Sequence, residues 1–422
     1  MPQQPSSNTT TYLDQPPSCL QFCPSSPNNF VVGTYLLSET KTTDAEGEEA
    51  IQQAKTGSLQ LWQLDPETNA LTQLSRHGIN AAVFDLQFHP RSKEQGRNLF
   101  AIATSDASVS LFTVSDEAGF TCLWTKTVHE DPSIPALFLA WAPENWIPGH
   151  GKRDGFAVTF SDGLTGVFGI NDDEDDEHVD EKFTELGTFE AKQPIEVWFV
   201  ALASYAGDDG YTPYMFTGND FGSLHTRRFA DIQPGQVDKE DAEEDEDTLP
   251  SLLINTDDKA AHHTSGVTSI LPLPIPLSHA LANGEPLLIT GSYDEGLRVY
   301  HACRGGRGRV IAEAGLGGGV WRLQLLETST STEGSGEKWT FLILASCMHG
   351  GTRIVRVCLE SGGSEGEVEA DIEVLAEFTE HESMNYASDV WRPADRNDSG
   401  PELRVVSSSF YDRRVCVWRV ER

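Results

Sequence analysis

The chain has 422 residues, 65 acidic against 30 basic, for a formal net charge of −35. That balance excludes duplex DNA and anionic membrane as main partners, since either demands a basic face. No apolar run of about 18 residues occurs, so no membrane span is expected. The first residues, Met1 to Thr11, lack the basic and apolar regions of a secretory signal. The seven cysteines are odd in number and scattered, without a CxxC pair. This reads as a reducing compartment, and a cytoplasmic location is expected.

Short runs rich in Val, Ile, Leu, Phe, Thr and Trp, cut by Gly, Asp, Asn and Pro, predict strands throughout and almost no helix. After a lone strand at Thr9–Leu13, two pieces alternate along the chain. The first is a short strand, often ending in Pro: Ser18–Pro24, Phe84–Pro90, Ala136–Pro143, Ile195–Val200, Gly266–Pro272, Gly319–Leu325 and Tyr386–Arg392. The second is an apolar strand, a polar turn and another strand. It opens as Phe30–Tyr35 with Gly57–Trp62, around a polar insert from Glu39 to Lys55. It returns at Leu99–Asp106 with Ser108–Phe112, and at Phe156–Asp162 with Thr165–Phe168. Tyr214–Asp220 with Gly222–Thr226 and Leu287–Asp294 with Leu297–Tyr300 follow. Phe341–His349 with Thr352–Val355 and Arg404–Asp412 with Arg414–Trp418 complete the series. Seven copies of each piece predict an all-β, seven-bladed β-propeller. One domain over 1–422 is expected, with Thr9–Leu13 supplying the fourth strand of the last blade. Acidic inserts at 171–182 and 236–248 read as solvated loops, as do Ser329–Gly336 and Ser361–Gly366.

Aligning the copies by their turns puts Asp106, Asp162, Asp220, Asp294 and Asp412 at equivalent places, where an Asp ordinarily caps the turn. The sixth copy has His349 there instead, in Cys347-Met348-His349-Gly350-Gly351. A His caps poorly and titrates near neutral pH, which makes His349 a candidate functional residue. Cys347 beside it reads first as a buried core thiol. No GxSxG, HExxH, Walker loop or helix-opening GxGxxG is present, and His262, His263 and His279 have no metal-ligand spacing.

The last 160 or so residues carry an ordered set of motifs. They are His263-Thr264-Ser265-Gly266-Val267-Thr268-Ser269-Ile270, Leu288-Ile289-Thr290-Gly291-Ser292-Tyr293-Asp294-Glu295 and Gly318-Gly319-Val320-Trp321-Arg322-Leu323. Then come Ala345-Ser346-Cys347-Met348-His349-Gly350-Gly351, His381-Glu382-Ser383-Met384-Asn385-Tyr386 and Ser408-Ser409-Phe410-Tyr411-Asp412. With Phe22-Cys23-Pro24 and Val32-Gly33-Thr34-Tyr35, this set resembles the WD-repeat diphthine methylesterase family of the diphthamide pathway. Tyr300-His301 stands where many WD repeats end in Trp-Asp. Tyr386-Ala387-Ser388-Asp389-Val390-Trp391 departs from the family's Tyr-Gly-Ala-Asp-Trp.

The resemblance implies a carboxylic ester hydrolase, with neither a metal nor an organic cofactor expected. It would remove the methyl ester from methylated diphthine, a modified histidine of translation elongation factor 2, to give diphthine and methanol. The implied partner is therefore elongation factor 2, and the chain is expected to act as a monomer. The substrate carries a trimethylammonium group, which Tyr293, Trp321, Tyr386 and Tyr411 would hold over ring faces, with Arg322 beside them. His349 is expected as general base, Asp294 to orient it, and Cys347 as nucleophile if the path is covalent. The alternative is a non-catalytic WD-repeat scaffold that presents elongation factor 2 to other enzymes.

Overall fold

In the computed structural model, the described residues are 1–43, 49–94, 96–148, 154–170, 183–207, 210–233, 249–259, 263–302, 308–333, 336–362, 368–393 and 401–422. Every regular element among them is a β-strand. The acidic inserts expected at 171–182 and 236–248 lie outside the described residues.

Alternating residues fill the strands, and the chain lays them into seven successive antiparallel sheets. The first holds Pro17–Phe22, Asn29–Thr34 and the long strand Glu49–Leu64, to which both Leu36–Thr43 and Leu71–Ile79 pair. The second runs Val83–Phe88, Leu99–Thr104, Ser108–Ser115, Gly119–Thr127. The third runs Ala136–Trp141, Asp154–Phe160, Leu164–Ile170, Phe183–Glu190. The fourth is Val197–Gly207, Gly210–Asn219, Ser223–Phe229, Leu252–Lys259. The fifth is Val267–Pro272, Leu287–Ser292, Gly296–His301, Arg309–Gly315. The sixth is Arg322–Glu333, Gly336–Ser346, Thr352–Ser361, Val368–Phe378. The seventh joins Ala387–Trp391, Glu402–Ser409 and Arg414–Glu421 to Ser7–Tyr12 from the start of the chain. The fold class is thus the all-β, seven-bladed β-propeller.

The described parts of the polar insert from Glu39 to Lys55 are paired, with Leu36 opposite Thr56 and Thr43 opposite Glu49, so Leu36–Thr43 continues the sheet. One expectation is corrected by the ladders: Ser329–Gly336 is not a loop but falls largely in strand, with Ser329 opposite Thr340 and Ser331 opposite Lys338. Both segments are polar enough to read as loops, yet cross-strand backbone bonds need no apolar side chains. Thr and Ser suit a solvated hairpin well.

The described chain divides into two compact units. Leu137–Glu380 with Met1–Pro5 forms one, holding the third sheet, from its second residue on, to the sixth. Ser6–Ala136 with His381–Arg422 forms the other. In the first unit, Phe156, Tyr214, Phe216, Val267, Leu288, Phe341 and Val355 are buried core residues. In the second, Phe30, Phe100, Val406 and Trp418 are. Within each unit successive sheets approach so closely that a side chain is excluded at the contact. A Cβ at Gly218 would stand 2.7 Å from Val267 Cγ1, one at Gly291 2.5 Å from Val320 Cγ1, and one at Gly33 2.9 Å from Val83 Cγ1. The same contact is bridged by hydroxyls of the first strands. Ser18 donates to the carbonyl of Val83 at 2.6 Å, and Thr268 donates to that of Val320.

Candidate functional site

The turns between second and third strands position the candidate residues. Aligned by the ladder pairs that flank them, five of these turns span 104–108, 160–164, 219–223, 292–296 and 347–351. Their third places hold Asp106, Asp162, Phe221, Asp294 and His349. Two of the Asp residues cap the backbone of their own turns as expected, while Asp106 accepts from the Thr104 hydroxyl at 2.6 Å and Asp412 from the N–H of Glu382 at 3.2 Å. Asp162 accepts the N–H of Leu164 at 3.2 Å, and Asp294 accepts that of Gly296 at 3.0 Å. The expected equivalence of Asp220 does not hold, because it stands one place early. Asn219 caps that turn instead, its side-chain oxygen accepting the N–H groups of Phe221 at 3.1 Å and Ser223 at 3.0 Å.

Asp220 faces a group of aromatic rings. Its Oδ1 accepts the indole N–H of Trp198 at 2.8 Å. Trp198, Tyr293 and Trp321 meet pairwise, with centroids 6.1 Å apart for Trp198–Tyr293, 5.6 Å for Trp198–Trp321 and 5.8 Å for Tyr293–Trp321. All three rings are half-buried. Glycines leave room for the group. A Cβ at Gly266 would lie 2.9 Å from the Tyr293 ring and 3.0 Å from Asp220 Oδ1. One at Gly319 would lie 2.7 Å from Met348 Sδ. Met348 itself sits in the left-handed region with φ 43°, a strained setting for a side-chain-bearing residue in the turn that presents His349.

His349 is exposed, with 58% of its side chain accessible, and its Nε2 lies 3.7 Å from Oε1 of the similarly exposed Glu295. The expected partner is elsewhere. The carboxylate of Asp294 accepts from Arg298 Nη1 at 2.9 Å and from the N–H of Thr264 at 2.9 Å, with His263 Nδ1 at 3.5 Å. Burial pushes the Asp294 carboxyl up, but hydrogen bonds from His263, Arg298 and Thr264 outweigh it and hold the group far below the usual range. Asp294 is therefore a turn cap and ion-pair member, not the orienter of His349. Cys347 is fully buried, and burial pushes its thiol up to about 12. At neutral pH it is not a thiolate, so the expected nucleophile is a core residue. Arg322 also differs from expectation. Its guanidinium stacks 4.7 Å from the centroids of both Trp321 and Phe138 and 5.5 Å from that of Phe199, and it donates to the carbonyls of Thr268 and Trp321 at 3.0 Å. It bolts the Trp321 ring in place.

Tyr386 and Tyr411 belong to the other unit, in an aromatic group of their own. Phe410 meets Tyr386 at 5.4 Å, Tyr411 at 5.0 Å and Tyr35 at 6.0 Å. Burial, then the neighbouring Tyr411 phenol, raises the hydroxyl pKa of both Tyr35 and Tyr386. Among the described residues, no three His, Cys, Asp or Glu side chains are grouped to hold a metal ion.

Sequence reasoning missed Trp198, Asp220, Met348 and Glu295. A signal existed for the first: Val197-Trp198 and Val320-Trp321 occupy the same place at the start of their repeats. No comparable signal marked Asp220, whose Ser-Asp-like context suggested a cap.

No protein-family model matches the chain. The chain is similar to "Diphthine methyltransferase" of Schizosaccharomyces pombe, 32% identical over 156 residues, which is 37% of this chain and only 38% of that protein. It is also similar to "Diphthine methyltransferase homolog" of Dictyostelium discoideum, 21% identical over 97% of this chain and 98% of that protein. The crystal structure of Saccharomyces cerevisiae Sqt1 shares the fold with TM-score 0.52 and 12% identity, over 99% of this chain and 100% of that one. The fold is that of the WD-repeat propellers, and the resemblance is to the WD-repeat diphthine proteins of the diphthamide pathway. The expected carboxylic ester hydrolase is corrected by these names, which denote methyl transfer and not ester hydrolysis.

Proposed function

We propose that this chain acts in the diphthamide pathway on the methylation state of diphthine in translation elongation factor 2. The S. pombe and Dictyostelium proteins are named for that methyl chemistry. The observation that carries the reading is the ring group of Trp198, Tyr293 and Trp321 with a carboxylate, Asp220, at its edge. A trimethylammonium group cannot accept or donate a hydrogen bond. It is recognised by ring faces, at about 0.5–2 kcal/mol per contact, and by nearby negative charge. The ring group supplies the first and Asp220 the second. His349 and Glu295, on the adjacent turns, form the titratable pair available to the reacting end of the side chain. The long-range field of a −35 chain favours approach of a basic, RNA-binding factor.

The test is complementation. In cells lacking the endogenous protein, the wild-type chain is expected to restore the methyl count at the diphthine residue, read by mass spectrometry of elongation factor 2 peptides. Trp198→Ala/Trp321→Ala is expected not to. A methyl count unmoved by the wild-type chain would refute the reading. One observation favours a second reading, a scaffold that binds the factor without chemistry. With Cys347 buried and Asp294 engaged, the one ion-pair partner of His349 among the described residues is the exposed Glu295.

A further inference from the structure

The geometry points to Asp220 as the specificity-determining residue of the aromatic site, reading the positive charge of a quaternary ammonium ligand where the rings read its shape. The inference rests on the cation reading of that site. In the second, third and fifth sheets the turn Asp stands third, and its side chain accepts from neighbouring groups of its own turn: Asp106 from Thr104 Oγ1 at 2.6 Å, Asp162 from Leu164 N–H, Asp294 from Gly296 N–H. In the fourth sheet the Asp stands second, between Asn219 and Phe221, and the neutral Asn219 makes both capping contacts. The charge of Asp220 is thereby released from the turn.

That carboxylate is then fixed toward the rings. Trp198 Nε1 donates to Oδ1 at 2.8 Å, and no hydrogen bond to Oδ2 is made among the described residues. The same place in the neighbouring turns is filled by Tyr293 and Met348. Three consecutive sheets thus offer a carboxylate, a phenol ring and a thioether at one level. The contacts around Gly266 bring Asp220 and the Tyr293 ring together, and those around Gly319 bring Met348 and Tyr293 together. A ring group alone also accepts a neutral tert-butyl group of the same size. A fixed carboxylate at its edge separates the two, because only the cation gains from it. Arg322, the guanidinium stacked on Trp321, donates to the backbone carbonyls of Thr268 and Trp321 and also lies over the rings of Phe138 and Phe199.

The experiment compares choline with its uncharged carbon isostere, 3,3-dimethyl-1-butanol, by calorimetric titration of the full chain. The wild-type chain is expected to favour choline by about tenfold or more. Asp220→Asn keeps an acceptor for the Trp198 indole and removes the charge. It is expected to weaken choline about tenfold while the isostere changes less than about twofold. Equal loss for both ligands would mean a merely structural role and would overturn the inference, as would no loss for either. Trp198→Phe removes the indole donor and is expected to blunt the discrimination partially at an unchanged melting temperature; undiminished discrimination there would also count against it. If the wild-type chain binds neither ligand, the cation reading of the site falls. If it binds choline but Asp220→Asn leaves the preference intact, only the role of Asp220 falls.

Discussion

His225 gives the fourth sheet a calculable pH dependence. Its side chain is 3% exposed, with Nδ1 3.3 Å from Thr217 Oγ1 and Nε2 3.4 Å from Asp257 Oδ1. Burial first, then the neighbouring Arg227 and, further down, Lys192, depress its pKa to about 4, against an opposing pull from Asp257. The unfolded chain holds this imidazole near its ordinary 6.5. Between those values the unfolded state binds a proton that the folded state excludes. Stability is therefore full above pH 6.5 and is lost as the pH falls toward 4. At about 1.4 kcal/mol per pH unit the total is about 3 kcal/mol. The perturbation is His225→Gln, which removes the titration. Urea melts of both proteins at a series of pH values isolate the titration of His225 together with the charges coupled to it, because groups remote from the imidazole contribute equally to each. The wild-type midpoint is expected to fall more steeply than that of the variant between pH 6.5 and 4.5. Parallel profiles over that range would show that the imidazole is not held neutral by burial, and would refute the reasoning.

Four further outcomes follow from the geometry. Gly291→Ala places a Cβ 2.5 Å from Val320 Cγ1 and 3.0 Å from its carbonyl oxygen, so it is expected to destabilise by about 1–3 kcal/mol in denaturant titrations. Arg322→Met removes two backbone hydrogen bonds and the stack on Phe138, Phe199 and Trp321; a loss of about 1–3 kcal/mol is expected, with retained stability contradicting its role as a bolt. His349→Ala, at an exposed turn, is expected to change the stability by less than about 0.5 kcal/mol, so any effect on diphthine methylation is read without a folding artefact. Iodoacetamide at pH 8 is expected to label exposed Cys122 and to spare Cys347 in the folded chain; rapid labelling of Cys347, followed by peptide mapping, would reverse its assignment to the core.

The strands were legible in the sequence because each repeat alternates side chains over a few residues and ends in a Gly, Asp or Pro turn. In the seventh sheet Ser7–Tyr12 pairs with Arg414–Glu421, a run that begins and ends earlier than the strand read at Thr9–Leu13. The polar hairpins were not legible. Leu36–Thr43 and its partner carry Thr, Lys, Glu and Gln, whose backbone pairing leaves no apolar signature. At the site, His349 was legible as a break in a repeated Asp, and the ladder register keeps it at that place. Tyr293 and Trp321 were legible as ring positions, and the structure joins them to Trp198. Asp220 was misread because a shift of one place within a five-residue turn leaves the composition unchanged. Only the hydrogen bonds of Asn219 reveal which residue caps. The partner of Asp294 was misassigned for a related reason: proximity along the propeller rim does not say that Arg298 and His263 already satisfy it.

We propose that the ring group of Trp198, Tyr293 and Trp321 recognises the trimethylammonium of diphthine. It is tested most directly by titrating the purified chain with two elongation factor 2 peptides that differ only in carrying diphthine or unmodified histidine. The diphthine peptide is expected to bind more tightly by about tenfold or more, and Trp198→Ala/Trp321→Ala is expected to abolish that difference. Equal affinity of the wild-type chain for both peptides, or a preference that survives loss of both indoles, would contradict it.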